Sequence, residues 1–257
     1  MIRAAGWFCA EHCGVVAARG LSWQKPAPSA TADVLALIGR PVKYFTRMTG
    51  EARCCLCAAS SALKGADWWD RAQELPPLPV LRERDGVRVL EGSESPSQIK
   101  ESPHPNPLPE YRARGPALDQ PRQEIGLLAA RSEGLLRANE EYFRDYVAMG
   151  RTLGRGNLFI YTLATSALGE VAIALSLTGP SMFIQDDARP LAALVRHGEQ
   201  MVADGEAGGM LALWSDSSAA VCLAIAAGAG GETLIPLPAG EEPNPLELCR
   251  TLQRMVT

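Results

Sequence analysis

A chain of 257 residues with 47% hydrophobic and 21% charged side chains has room for one large α/β domain and enough apolar surface to bury a core. Its 25 basic and 29 acidic residues leave a net charge of −4, which excludes a general nucleic-acid binder, because displacing phosphate counterions takes a basic surface. No run of about 18 apolar residues occurs, so no membrane-spanning helix is expected.

At the N-terminus, an apolar stretch after Arg3 is interrupted by Glu11 and His12. A secretory signal would need that stretch unbroken, so a cytoplasmic protein is expected. Residues 1–22 carry Trp7, Cys9, Val15 and Val16 between glycines and read as one or two strands. Residues 23–40 combine a Pro/Ser loop with a short apolar helix around Val34–Ile38. The run 47–66 is rich in Ala and Leu and closes near Gly65. That composition predicts a helix with small side chains, suited to close packing on a sheet.

Ten of the nineteen prolines fall between residues 76 and 121. Each fixes φ and removes a donor, so neither helix nor strand ladder is expected there. Residues 95–121 read as a disordered insertion in what is otherwise a single domain spanning residues 1–257. The string from Ser102 to Glu110 also resembles the translation of a mobile repeat element found inserted in bacterial genes. Regular structure resumes with a buried strand in 124–134. A helix follows, with Leu136, Tyr142, Phe143 and Val147 near helical spacing. Residues 157–175 pass from an aromatic, β-like start into an alanine-rich helix. Thr178–Ser181 is a turn, Met182–Gln185 a short apolar strand, and 190–206 a helix with Pro190 in its first turn. Strands over 209–214 and 217–227 and a terminal helix over 245–256 complete the chain. Alternating strands and helices predict an α/β fold, a mixed β-sheet layered with α-helices.

The seven cysteines (9, 13, 54, 55, 57, 222 and 249) have irregular spacings and no paired hooks, so no metal site and no disulfide framework are expected; they read as structural thiols. Ser215, Ser217 and Ser218 lack the Gly-x-Ser-x-Gly elbow of a hydrolase.

One series of residues is more specific. Tyr161-Thr162-Leu163, then Leu168-Gly169-Glu170-Val171-Ala172-Ile173, then Leu177-Thr178-Gly179-Pro180-Ser181 resembles the β-ketoacyl synthases. So does the order that follows: a short strand, a turn, a helix and a strand rich in Ala, Gly and Leu. The resemblance covers about two thirds of the chain, and it implies the N-terminal half of the thiolase-like fold. In that family the nucleophilic cysteine stands seventh after the serine of the Gly-Pro-Ser turn. There a helix N-terminus stabilises its thiolate for attack on a thioester. The seventh residue after Ser181 is Ala188, and Asp186 and Asp187 precede it.

The family's catalytic histidines come from a second half, and none of His12, His104 and His197 stands in a family histidine motif. No catalytic residue is therefore assigned, and no cofactor is expected. His197 reads as a surface or groove residue, Ser181 as a turn residue, and Glu170 as a helix-stabilising or partner-contacting one. The resemblance is closest to chain-length-factor-like proteins. It implies a non-catalytic partner of a complete ketosynthase subunit in fatty-acid, aryl-polyene or polyketide biosynthesis, with acyl carrier protein as a further partner. It also implies that Met182, Phe183 and Ile184 form an interface strand. Two alternatives stand beside this reading: a weak acyl-transferase or decarboxylase using a non-cysteine site, and a degenerate ketosynthase remnant.

Overall fold

The computed structural model describes residues 1–18, 21–43, 45–69, 124–132, 136–152, 154–185, 188–227 and 242–256. The Pro-rich insertion, Asp186, Asp187 and His104 lie outside the described residues. Among the described residues a seven-stranded sheet runs in the order β3-β2-β1-β7-β6-β4-β5. Its strands are β1 (Ile2–Cys9), β2 (His12–Ala17), β3 (Trp23–Pro26), β4 (Ile125–Arg131), β5 (Ser181–Phe183), β6 (Gly209–Ser215) and β7 (Ala219–Ile225). The pairs β1/β2, β2/β3, β1/β7 and β6/β7 are antiparallel, whereas β4 runs parallel to both β6 and β5. The expected mixed α/β architecture is present.

Helices cover both faces. On one face lie α1 (Thr31–Ile38), α2 (Gly50–Gly65) and α5 (Ser166–Leu175), which bury Leu37, Ile38, Leu56, Leu63, Val171 and Leu175. On the other lie α6 (Pro190–Ala203) and α7 (Pro245–Val256), which bury Leu191, Leu194, Leu248 and Leu252. Strands β1, β6 and β7 are buried almost throughout, as central strands covered on both faces should be. Full burial of one Leu side chain contributes about 1.5–3 kcal/mol, so these layers carry most of the fold's stability.

The small residues of α2 have a geometric reason. A Cβ on Gly6 would lie 2.3 Å from the Ala58 carbonyl and 2.5 Å from the Ala62 nitrogen. The backbones of β1 and α2 therefore touch, and only Gly on the strand opposite Ala and Ser on the helix permits it. Thr49 caps the helix, its Oγ1 accepting from the Ala52 amide at 3.2 Å, which satisfies one donor orphaned at the first turn. Helix α7 starts with a reciprocal cap: Asn244 Oδ1 accepts from the Glu247 amide at 2.9 Å, and Glu247 returns the bond to the Asn244 amide at 3.0 Å.

Three local expectations need correction. Residues 23–26 form an edge strand and not a loop, with Pro26 at its end, where a missing donor costs least. The aromatic stretch after residue 156 is a short helix, α4 (Gly156–Ile160), and not β-like. Hydroxyls take the carbonyls a ladder would use: Thr162 donates to Phe159 O at 2.7 Å and Ser166 to Ile160 O at 2.5 Å. Ser181 begins β5 instead of closing the turn, and that strand ends at Phe183.

Candidate functional site

The turn between β5 and α6 begins at the sheet edge, where β5 ends. The Thr-Gly-Pro-Ser segment is pressed onto β4. Gly179 donates to Ile125 O at 3.0 Å, and Leu127 donates to Pro180 O at 2.8 Å. A Cβ on Gly179 would fall 2.6 Å from the Gly126 amide nitrogen, so glycine is required by this close backbone approach. Ser181, Met182 and Phe183 then pair with Leu127, Leu128 and Ala129, and the Ile184 amide donates to Ala129 O at 2.8 Å.

Alternation along this short strand sends the three interface candidates different ways. Phe183 is half-buried against the α2/α5 side, and Ile184 packs with the α6/α7 side. Met182 keeps 48% of its surface exposed. The opposite edge of β5 has no strand beside it among the described residues.

Ala188 is exposed in the turn that enters α6, and Arg189 and Pro190 follow it. The N-terminus of α6 is already occupied by a carboxylate. Glu242 accepts from the Leu191 amide at 2.8 Å and from the Ala192 amide at 2.9 Å, one bond to each oxygen. Its side chain is only 6% exposed, and Arg189 Nε stands 3.7 Å away. A helix N-terminus favours an anion through its dipole and its unpaired amides. Here an internal side chain supplies that anion. The amides of Leu191 and Ala192 are committed to that carboxylate.

The remaining sequence candidates do not gather around this turn. His197 is exposed on α6, and His12 opens β2 on another part of the sheet. Glu170 on α5 accepts from the Tyr161 hydroxyl at 2.7 Å, while its second oxygen is buried without a partner. Burial pushes the Glu170 carboxyl above the ordinary carboxylate range, against the opposing pull of the Tyr161 bond. Burial and the adjacent carboxylate push the Tyr161 hydroxyl up as well. This pair fixes α5 against the residues that precede it, a structural role for Glu170.

One cluster was not anticipated from sequence. Glu51 in the first turn of α2 receives both ends of the Arg131 guanidinium at the close of β4 and, at 3.0 Å, the Ser215 hydroxyl at the end of β6. Both charged side chains are about 13–14% exposed. The pair floors a cleft of about 190 Å³ that Thr49, Arg137, Tyr161 and Asp216 also line. It lies outside the carboxyl ends of parallel strands, where α/β sheets commonly place ligands. The visible signal was a Glu at the start of a small-residue helix and an Arg ending an apolar strand. Nothing in their spacing reveals that they meet, since 80 residues separate them.

The cysteines are free thiols, all buried except the half-buried Cys54. No group of three or more metal-ligating side chains converges among the described residues, and no helix among them is long and apolar enough to cross a membrane.

No protein-family model matches the chain, and no curated protein matches it. Among solved structures it is similar to the complex of the ketosynthase ApeO with its chain length factor ApeC from Xenorhabdus doucetiae. The identity is 12% and the TM-score 0.44, over 80% of this chain and 76% of that one.

Proposed function

We propose that this chain is a non-catalytic, ketosynthase-like partner subunit of chain-length-factor type, acting beside a complete ketosynthase in fatty-acid, aryl-polyene or polyketide biosynthesis. The observation that carries the reading is the turn between β5 and α6. Its Gly-Pro-Ser segment packs on β4 and the Glu242 carboxylate takes the amides at the helix start, while the sequence resemblance assigns the nucleophile position to Ala188. Such a turn preserves a scaffold and disables thioester chemistry.

A partner is favoured by the surface beside it. Met182 on β5, Ile173 on α5, Phe159 and Ile160 on α4, and Phe143 on α3 (Leu136–Ala148) are all large, apolar and exposed. The elements are linked in sequence: Tyr142 of α3 stacks edge-on to Phe159 at 5.6 Å, Ser166 of α5 bonds Ile160, and α5 packs on β5. An apolar surface of this kind beside an open strand edge is an association surface. Acyl carrier protein would reach the assembly through the complete synthase.

The test is size-exclusion chromatography of the purified chain with a complete ketosynthase from the same genome. Wild type is expected to co-elute, and Met182→Asp, at the exposed position of β5, to elute alone, because burying an unpaired charge costs several kcal/mol. A wild-type chain that remains a monomer in the presence of that synthase overturns the partner role. Carbon–carbon bond formation by the isolated chain from acyl and malonyl carrier-protein thioesters overturns the non-catalytic one.

A further inference from the structure

Two of the buried cysteines meet on the α6/α7 face of the sheet, far along the chain from one another and apart from the β5–α6 turn. Cys9 is the last residue of β1, and its neighbour Phe8 is paired with Ala220 of β7. Side chains alternate along a strand. Trp7 and Cys9 therefore point to the α6/α7 side, while Phe8 points to the other. Cys249 approaches the same spot from helix α7. Its Sγ donates to the carbonyl of that same Ala220 at 3.8 Å, beside the last β1–β7 rung, in which Cys9 pairs with Ala219. Cys9 Sγ reaches the His12 carbonyl at 3.3 Å across the turn into β2. The two sulfurs thus share one small site walled by the β1–β2 turn, the start of β7 and the inner face of α7.

We propose that Cys9 and Cys249 are a redox pair that closes to a disulfide and pins helix α7 to strand β1. The two positions differ in the way such chemistry needs. Cys9 adjoins an exposed turn at Ala10 and Glu11, and its own exposure is 6%. The neighbouring Cys249 thiol, with help from the backbone of His12 and Glu11, lowers the Cys9 thiol despite its burial. That lowering makes the reactive thiolate easier to reach at Cys9 than at Cys249. Cys249 is 1% exposed. The neighbouring Cys9 sulfur and burial both push its thiol up, so it waits protonated. Cys9 is the attacking sulfur and Cys249 the resolving one.

With hydrogen peroxide as the oxidant the steps balance. The Cys9 thiolate attacks one peroxide oxygen. An S–O bond forms, the O–O bond breaks, and hydroxide departs to be protonated to water, leaving a sulfenic acid. The charge that held up the Cys249 thiol is then gone. The Cys249 sulfur attacks the Cys9 sulfur; an S–S bond forms, the S–O bond breaks, and the leaving hydroxide takes the Cys249 proton as a second water. Two thiols give up two electrons, and peroxide accepts them. A dithiol reductant reverses the change by thiol–disulfide exchange.

The experiment treats the full-length chain with dilute hydrogen peroxide, then alkylates it under denaturing conditions and weighs it intact. Five of the seven thiols are expected to remain alkylatable, the unalkylated mass to fall by about 2 Da, and a peptide map to join the segment holding Cys9 to the one holding Cys249. Dithiothreitol is expected to restore all seven. Cys249→Ser should stop at the sulfenic acid, trapped on Cys9 by dimedone. In the untreated wild type, alkylation of Cys9 is expected to reach half its maximal rate at a lower pH than that of an ordinary thiol. Seven alkylatable thiols after peroxide, a bond from Cys9 to any cysteine other than Cys249, or a dimedone adduct on Cys9 of the wild type without a cross-link each overturn the pair.

Discussion

Helices α2 and α3 are similar in length but opposite in what they do with their side chains. The sixteen residues of α2 bury ten, while the thirteen of α3 bury none. Helix α2 sits against β1 and β7, so closely that Gly6 has no room for a Cβ. Helix α3 turns Leu136 and Phe143 outward and touches the rest of the protein chiefly through Tyr142 on Phe159 and Arg155 on Asp145. A helix rarely holds its shape in water by propensity alone. Helix α2 is therefore held by the sheet it packs on, whereas α3 gets little support from the rest of the described chain.

The contrast breaks most sharply at paired truncations. Leu56→Ala in α2 is expected to cost about 2–5 kcal/mol, the range for emptying a closed core, read as a lower urea midpoint. Phe143→Ala in α3 should change the midpoint by less than about 0.5 kcal/mol, as exposed sites do, yet weaken association with a partner synthase. Equal losses in urea would show that α3 is part of the core. Next in size comes Glu51→Ala, expected to cost about 3 kcal/mol because it leaves the Arg131 charge poorly compensated in a half-closed site. Arg131→Met in the same background should recover most of that loss, which urea melts of both variants will show.

Smaller still is Glu242→Gln, which keeps an acceptor at the start of α6 but removes its charge. A loss of about 1 kcal/mol is expected from the helix dipole, and the double variant with Ala188→Cys should still form no carbon–carbon bond. Turnover by that double variant would mean that Ala188 and Glu242 together had silenced the turn.

The smallest effect is a pH dependence at Glu170. Its folded-state carboxyl titrates above the ordinary range because burial disfavours the charge. A raised carboxyl favours folding while protonated and penalises it once ionised. Glu170→Gln, which still accepts from Tyr161, should therefore melt slightly higher than wild type at neutral pH. The gain should vanish as pH falls below the ordinary carboxylate range. A gain that persists in acid would point to packing rather than charge.

Most of the architecture was legible because its signals are local. The small-residue run of α2, the continuous apolar strands β4, β6 and β7, and Pro190 in the first turn of α6 each announce an element within a dozen residues. The failures are equally physical. Phe159 and Ile160 carry β-like side chains, but side-chain hydroxyls within six residues claim their carbonyls. At the turn, the expectation of a missing nucleophile rests on Ala188 and the sequence resemblance. The carboxylate on the α6 amides was not, because Glu242 lies some fifty residues onward, past a stretch with no periodicity. The Glu51–Arg131 pair and the Cys9–Cys249 contact escaped for the same reason: each joins the ends of separate elements that only the sheet order brings together.

That sheet order sets a timetable for folding. Strand β1 stands between β2 and β7, and its partner across the ladder from Ile2 is Ile225. At a synthesis rate of about 5–20 residues per second, the ribosome delivers β7 roughly 10–45 s after β1. During that interval the β1–β2 hairpin has an open edge and an apolar face that holds Ile2 and Trp7. Contacts of such long sequence separation close late, after the entropy of a large loop has been spent. The nascent chain should thus spend much of its synthesis as a client of whatever holds exposed β-edges at the ribosome exit, and synonymous changes that slow decoding before residue 219 should lower soluble yield more than those placed after it.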